Sequence, residues 1–524
     1  MLSAILARAA ARFGDDPAVD GAEGGATWSE VAAAVARRAG RWSRSGLDPG
    51  DRVALLAPNG RLFLECYFAA AHAGLVLVPL NTRSHPEGIA RVVAHAGAKR
   101  LVAAPRHAGI ASAALEELRK SAGSAAPATV EVAGEEGAAA PAQAEAVAAR
   151  PVRPDDPAHL YYTSGTTGDP KGVILTHRNV ASHARLAIAA LALDRRDVWA
   201  HVAPMFHLAD AWATFAITEV GGRHVMVPDF EPAAVLDTLA GGVTITNLVP
   251  TMLGDLVQHA EDDAAHGGPG AAPRRFPSLR LLLSGGAPIA PALVARIART
   301  FGCLYVQTYG LTETSPYLTM SLLPERFARL PEAERFRFIC KTGRPLAGVE
   351  VRVVRDDLTD VHPDGREVGE IVCRGETVTP GYWRNPEATA AAFRDGWFLT
   401  GDLAVIDEEG FLQIVDRRKD VIKTGGESVF STEVEAVLHS HPAVHEVAVV
   451  GLPHERWGEA VVAAVVPRPG SAADEAALIA HCKAHLGAHQ VPKRVLFRTA
   501  LPRTGSGKIA KRLLRDELAR QPGA

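Results

Sequence analysis

The sequence predicts an α/β fold: a large N-terminal domain of helix-covered sheets with a small β-barrel-like part, then a small α+β domain. Three observations predict it. Short apolar runs alternate with amphipathic stretches through the first part of the chain, the pattern of a parallel sheet covered by helices. From Val349 to Arg374 the residues become β-branched, with Val349, Val351 and Val353 alternating before the turn Pro363-Asp364-Gly365. A charged, apolar-poor joint, Asp416-Arg417-Arg418-Lys419-Asp420, then opens a stretch with an αβ pattern of its own. A chain of 524 residues is also too long for one core. The boundary is placed between residues 1–417 and 418–524, and the second part is long enough for a small domain.

The elements follow in order. Met1 to Arg8 reads as a short amphipathic helix and not a signal peptide, because no basic region precedes its apolar part and Asp15-Asp16 follow soon after. Trp28 to Ser45 is a helix with Val31, Val35, Ala39 and Trp42 on one face. Asp51 to Ala57 is a buried strand ended by the turn Pro58-Asn59-Gly60; Arg61 to Gly74 is helix, and Leu75 to Leu80 is strand. Ser121 to Arg150 thins to Ala, Gly, Glu and Pro, a surface excursion with one short strand at Val130-Glu131-Val132.

Val173 to Ala192 is the end of a strand and then a helix, and Ile245 to Thr251 is a strand leading into another. Glu261 to Arg275 reads as a charged, Gly/Pro-rich surface loop. Leu281 to Pro288 and Tyr305 to Thr314 are strands that run into glycine turns. In the last part, a helix at Glu433 to His439, strands at Val444 to Val450 and Val461 to Pro467, and a helix at Ala473 to Leu486 are expected.

Composition narrows the function classes. Lys+Arg 56 against Asp+Glu 59 leaves a formal charge of −3, so no global basic field draws the chain to nucleic acid. Cys66, Cys303, Cys340, Cys373 and Cys482 are far apart and odd in number, which suits reduced thiols in the cytoplasm and neither a disulfide framework nor a zinc site. There is no apolar run near ~20 residues, the length a spanning helix needs. The ending Gln521-Pro522-Gly523-Ala524 is no peroxisomal address.

The densest chemistry lies at Thr163-Ser164-Gly165-Thr166-Thr167-Gly168-Asp169-Pro170-Lys171-Gly172. Glycines allow positive φ and close backbone approach, hydroxyls add short donors, and the lysine adds a mobile charge. Together they make a cradle for a polyphosphate. It is not a Walker A loop, since G-x-x-x-x-G-K-[ST] is not satisfied. Gly505-Ser506-Gly507-Lys508 misses the same pattern, with Pro502 where the first glycine would stand and Ile509 where Ser or Thr is needed.

Thr163 to Gly172 resembles the phosphate loop of the adenylate-forming enzymes, the superfamily of acyl-CoA synthetases, peptide-synthetase adenylation domains and firefly luciferase. The rest of the chain supplies further motifs in the right order, and the resemblance spans nearly its whole length. The family places an aromatic-plus-His segment at the mouth of the acyl pocket, which here is Ala203 to Trp212 with His207, and Trp212 as pocket wall or core. It uses the turn matching Gly285-Gly286-Ala287 for adenine and the acyl chain.

In Tyr309-Gly310-Leu311-Thr312-Glu313, Tyr309 is suited to stack on adenine, Thr312 to meet a phosphate and Glu313 to hold Mg²⁺, a hard cation that prefers oxygen. Asp402, in Thr400-Gly401-Asp402, is suited to accept from ribose hydroxyls, with Arg417 beyond it. The resemblance makes Lys419 the hinge of a mobile small domain. One face of that domain presents Lys508 for adenylation; the other presents Lys423, Gly425 and Gly426 for thiolation, with glycine leaving room for the pantetheine arm. Many relatives have Asn after Gly-Gly-Glu where this chain has Ser428, which puts one hydrogen bond near the acyl phosphate in question.

The activity implied is an ATP-dependent acyl-CoA synthetase, closest to fatty-acid or aryl-acid CoA ligases, with MgATP and CoA and the chain as a monomer or homodimer. Thr163, Lys171, Glu313, His207 and Lys508 are the expected catalytic set. The segments that match the family's acyl site contribute Met205, His207, Leu208, Ala209, Trp212, Gly285, Ala287, Pro316 and Tyr317, none a fixed cation, so a second carboxylate would lie unpaired and desolvated; the expected acid is a fatty or aryl monocarboxylate. Tyr317 stands where the family often has a smaller residue, which tilts the expectation towards medium-chain or aryl acids. Loading of a carrier protein and luciferase-like oxidation are the alternatives, and a catalytically dead nucleotide-binding protein is a third.

Overall fold

Strand residues in this chain send successive side chains to opposite faces, and both faces are apolar in the central strands, so the sheets are covered on both sides. A computed structural model describes all residues except 23, 123–128, 134–147, 164–169, 267–273, 288, 328, 472–473, 504–508 and 521–524. The chain divides into two compact units, Met1–Val351 with Cys373–Phe398, and Arg352–Val372 with Leu399–Ala524.

The first unit holds two sheets. Its strands are β1 (Pro17–Asp20), β2 (Ala26–Thr27), β3 (Arg52–Leu56), β4 (Val76–Pro79), β5 (Ala98–Ala103), β6 (Thr129–Val132), β7 (Pro157–Thr163) and β8 (Lys171–Thr176). They continue with β9 (Val198–His201), β10 (Arg223–Met226), β11 (Ile245–Leu248), β12 (Leu281–Ser284), β13 (Leu304–Gly310), β14 (Tyr317–Met320) and β15 (Arg344–Pro345). One sheet has the order β6-β5-β3-β4-β7-β8 and the other β15-β14-β13-β12-β11-β9-β10-β1-β2. Both are mainly parallel with antiparallel edges: β8 runs against β7, and β14 runs against β13.

Alternation along β3 shows how the layers form. Val53 and Leu55 enter a core shared by both sheets, whereas Ala54 and Leu56 face a second core under helices Pro86–Ala96 and Ala108–Ala122. The far side of the larger sheet has its own core, with Ala200, Leu248 and Leu282 under helices Pro232–Ala240, Pro250–His266 and Pro291–Phe301. Helices Arg61–Ala73 and Leu208–Val220 are apolar almost all round because they lie in the shared core, where Phe63, Tyr67, Phe68, Trp212 and Phe215 are buried.

Two helix starts are set by reciprocal caps. Thr27 Oγ1 accepts from the Glu30 N–H at 3.3 Å while the Thr27 N–H donates to Glu30 Oε2 at 2.8 Å. Thr176 and Asn179 repeat the arrangement at the start of His177–Leu191. One expectation is corrected: Glu261 to His266 are not loop but the end of helix Pro250–His266. Glu261, Ala264 and Ala265 are good helix formers and carry the helix past the weaker Asp262 and Asp263, and the Gly/Pro-rich part begins at Gly267, outside the described residues.

The strands that follow are β16 (Glu350–Val354), β17 (Gly369–Arg374), β18 (Phe393–Arg394), β19 (Trp397–Ile406) and β20 (Leu412–Arg417), which make a five-stranded sheet in the order β16-β17-β19-β18 with β20 on β19. In the second unit, β21 (Ile422–Thr424), β22 (Glu427–Val429), β23 (Val444–His454), β24 (Gly458–Pro467) and β25 (Arg494–Phe497) form a sheet of order β22-β21-β24-β23, with β25 on β24. Here too the strands divide their side chains. Val447, Val449 and Val461 pack under helices Ser431–His439 and Glu475–His485, and Ala448, Val450 and Val462 under Lys511–Ala519. Among the described residues no helix is long and apolar enough to cross a membrane.

Candidate active site

The antiparallel ladder of β7 and β8 sets Thr163 directly opposite Lys171, the last pair before the connection between the two strands. Ser164, Gly165, Thr166, Thr167 and Gly168 lie outside the described residues. The free edge of β8 is covered by a later segment: the Trp383 N–H donates to the Gly172 carbonyl at 2.7 Å, and the Ile174 N–H to Gly381 at 3.1 Å. That ladder carries Tyr382, a residue that sequence reasoning missed. Its ring receives Lys171 Nζ at 5.5 Å from the centroid, and its hydroxyl donates to Glu313 Oε1 at 3.0 Å. Burial and the neighbouring Glu313 charge raise the Tyr382 phenol well above its ordinary range, so at neutral pH it is a donor. In sequence it stands only in a glycine turn with two aromatics, Gly381-Tyr382-Trp383, and nothing there pairs it with Glu313 or Lys171.

Glu313 sits in a short 3₁₀ turn, Thr312–Thr314, just past the end of β13, and its carbonyl accepts from the Thr379 N–H at 2.8 Å. Tyr309 and Gly310 end β13, beside the end of β12 where Gly285 and Gly286 follow Ser284. Thr308 Oγ1 ties the two ends by donating to the Ser284 carbonyl at 3.0 Å. A Cβ on Gly285 would stand 2.5 Å from that Thr308 oxygen, and one on Gly310 only 1.8 Å from the Pro316 carbonyl. These two glycines are thus required by the chain's own packing. Gly286 has φ +84 and is exposed, as is Ala287.

The segment carrying His207 is held from the first sheet. Asn59 Oδ1 accepts from the Met205 N–H at 2.7 Å, and Asn59 Nδ2 faces the carbonyls of His201, Ala203 and Val227 at 2.8, 2.9 and 3.2 Å. The Tyr67 hydroxyl donates to the Met205 carbonyl at 2.9 Å and receives the Tyr161 hydroxyl at 2.6 Å. His207 is the N-cap residue of helix Leu208–Val220, half-buried, with its ring on Phe206. One turn on, Trp212 Nε1 donates to the Tyr317 hydroxyl at 3.0 Å, and both rings pack on His183. His183 Nε2 accepts from the Tyr317 N–H at 3.2 Å, and burial holds this imidazole down to about 3, so it is neutral.

In the second unit Asp402 and Arg417 are register partners across β19 and β20, with Arg417 Nε 3.4 Å from the buried Asp402 carboxylate. Lys419 is exposed along its side chain, yet partial desolvation, then the charge of Arg417, lowers it from the ordinary lysine range. Asp416 is gripped on both sides, accepting from the Arg417 N–H at 2.7 Å and from the Ser431 N–H and hydroxyl at 2.5 and 2.7 Å. Lys511 Nζ in turn donates to Ser431 Oγ at 2.6 Å and pairs with Glu435 at 2.7 Å. Gly425 and Gly426 have φ +60 and +89, the two-residue turn between β21 and β22. Lys423 and Ser428 face each other across that hairpin, the lysine donating to the serine hydroxyl at 2.6 Å. Lys508 lies outside the described residues.

Thr163, Lys171, Glu313, Tyr309 and the β12 turn thus gather at the carboxyl ends of strands, where ligands sit in open α/β sheets. Among the described residues no group of three or more His, Cys, Asp or Glu forms a metal cage. That fits Mg²⁺, which takes one or two carboxylates and leaves its other positions to phosphate oxygens and water.

The family model of the AMP-binding enzymes matches residues 6–383, and that of their C-terminal domain matches residues 433–508. The long-chain-fatty-acid–CoA ligase of Thermus thermophilus is 37% identical over 98% of this chain and 94% of its own. The feruloyl-CoA synthase of an Amycolatopsis species is 38% identical over 93% and 92%. Among solved structures, ATP-bound MatB from Rhodopseudomonas palustris superposes with a TM-score of 0.84 at 32% identity, covering 99% of both chains. The chain belongs to the AMP-binding enzyme family, the adenylate-forming superfamily. It is an acyl-CoA ligase that uses ATP, Mg²⁺ and CoA.

Proposed function

We propose that this enzyme activates a monocarboxylic acid, of medium to long fatty chain or aryl type, in two half-reactions. A carboxylate oxygen attacks the α-phosphorus of ATP and pyrophosphate leaves, giving the acyl-adenylate. The CoA sulfur then attacks the acyl carbon, AMP leaves, and the thiol proton passes to solvent. Glu313 would hold Mg²⁺, which would supply neutralisation of the triphosphate charge. The chain's own residues position and stabilise: Thr163, Ser164, Gly165, Thr166, Thr167, Gly168 and Lys171 cradle the phosphates, and Glu313 holds the metal with its carboxylate oriented by Tyr382. Tyr309, Gly310, Thr312, Gly285, Gly286 and Ala287 receive the adenine and α-phosphate side, and Asp402 with Arg417 the ribose. Lys508 stabilises the departing pyrophosphate. The functional boundary falls between 417 and 418, with Lys419 as the hinge that exchanges Lys508 for the Lys423, Gly425 and Gly426 face. The compartment is the cytoplasm.

The observation that carries the acid's class is the cluster of Trp212 and Tyr317, at positions the resemblance gives to the acyl site, with His183 packed on both. It is aromatic, buried, and contains no cation, because His183 is neutral. A second carboxylate there would have no partner. The test is acid-dependent pyrophosphate release and CoA-dependent AMP release over a panel of acids, with a carrier protein as the competing acceptor. The best acid is expected to be an apolar monocarboxylate. A best substrate with a second carboxylate would overturn the reading, and acylation of the carrier in preference to CoA would replace the second half-reaction.

A further inference from the structure

Behind the His207 segment lies a chain of polar groups that neither half-reaction uses. Asp210, in the first turn of helix Leu208–Val220, is fully buried, as are His201 at the end of β9, His224 on β10, Thr218 and Thr214. His201 Nδ1 is 2.5 Å from Asp210 Oδ2, His201 Nε2 is 2.9 Å from His224 Nδ1, and His224 Nε2 is 3.2 Å from Thr218 Oγ1. Trp199 Nε1 donates to the other Asp210 oxygen at 3.2 Å. Trp28 closes the far side with its ring edge-on to His224.

Counting protons decides the state of this chain. The one hydroxyl proton of Thr218 goes to the Thr214 carbonyl at 2.6 Å, so His224 Nε2 is the donor in the 3.2 Å contact. A neutral His224 then accepts at Nδ1, and the proton between the two rings belongs to His201 Nε2. The contact from His201 Nδ1 to the carboxylate needs a proton as well. Two neutral imidazoles carry two ring protons between them, and three contacts need one each. The third resides on the His201–Asp210 pair. It stays on the ring, because the Trp199 N–H and the helix N-terminus both favour the carboxylate. Burial, and then the charge on His201, hold His224 well below the usual imidazole range, in keeping with a neutral second ring.

The pair closes the loop of Pro204, Met205, Phe206 and His207 at both ends, since its partners are nine residues apart in sequence. We propose that Asp210 and His201 form a buried carboxylate–imidazolium clasp, its proton order fixed through His224 and Thr218, that holds the His207 segment in the shape receiving the acid. These are positioning residues, and the inference rests on the reading of His207 as an acid-site residue. Asn59 and Tyr67 hold the middle of the same segment, so removing the clasp distorts its ends without releasing the strand.

Two measurements test it on the full-length enzyme. In Asp210→Asn the side chain keeps its size and loses its charge. The KM for the acid is expected to rise about ten-fold while the KM for ATP stays within about two-fold, the split of a defect confined to acid binding. Equal rises in both, or an unchanged acid KM, would overturn the positioning role. Should that variant fail to fold, the wild-type protein still decides the matter. Its ¹H–¹⁵N histidine spectrum at about pH 8 is expected to show one exchange-protected ring with both nitrogens protonated, correlated with a neutral neighbour. Finding His201 as a single neutral tautomer would overturn the clasp. A wild-type enzyme that released pyrophosphate with no acid would sink the functional reading, and the spectrum would still decide the clasp.

Discussion

The Tyr382 hydroxyl donates to Glu313 Oε1 at 3.0 Å, and the same ring lies under Lys171 Nζ. One aromatic side chain thus links the lysine of the β7–β8 hairpin to the carboxylate proposed for the metal. Tyr382→Phe keeps the ring and removes the donor. A hydrogen bond to a charged group at a partly buried site is worth about 1.4 kcal/mol, so kcat/KM for MgATP should fall about ten-fold. Unchanged MgATP kinetics would mean that Glu313 needs no orienting partner.

Lys508→Ala should lose adenylation severely while thioester formation from supplied acyl-adenylate persists. A charge that stabilises departing pyrophosphate has no task in the second step. Single-turnover assays of each half-reaction check this, and equal loss in both would remove the assignment.

Lys419→Pro fixes φ at the proposed hinge. One half-reaction should survive and the full cycle collapse. Wild-type rates for both half-reactions and for the cycle would place the hinge elsewhere.

The acyl wall gives a fourth expectation. Each methylene bound in an apolar tunnel adds at most about 0.8 kcal/mol, so kcat/KM should climb with chain length and break off where the tunnel ends. Tyr317→Ala removes the ring to which Trp212 donates and should move the break to longer acids. An identical length profile would take Tyr317 out of the pocket.

The fifth concerns acid. His183 has its pKa lowered by burial from 6.5 to about 3, so between these values the unfolded chain binds a proton that the folded one does not. Its contribution is complete above about pH 6.5 and is lost as pH falls towards 3, at up to about 1.4 kcal/mol per pH unit. Buried His159, lowered to about 3, and His177, lowered to about 4, act with the same sign. Chemical denaturation from pH 7 to 5 should show falling stability, with a shallower slope in His183→Gln. Equal slopes would show that His183 is as easily protonated folded as unfolded.

Much of the fold was legible in the sequence because strands buried on both faces and amphipathic helices leave unlike patterns. The expected strand at Asp51 to Ala57 and helix at Trp28 to Ser45 appear as Arg52–Leu56 and Trp28–Arg44. The error at Glu261 to His266 came from reading charge as loop, although glutamate and alanine are good helix formers. Local motifs singled out Lys171, Glu313 and Asp402 as candidates, since glycine turns beside polar side chains are visible in a short window. Tyr382, Asn59 and the Asp210–His201–His224 chain were not legible. Each acts on a partner far along the chain, as Asn59 does on Met205, and no spacing rule connects such pairs.

Asp416 holds Ser431 through two hydrogen bonds, and these residues lie on opposite sides of Lys419 in sequence. If the small domain turns at Lys419, it does not swing as a loose tether. It must first detach a carboxylate from a serine that Lys511 also grips. The joint then has a resting position, because a turn there exchanges those bonds for water.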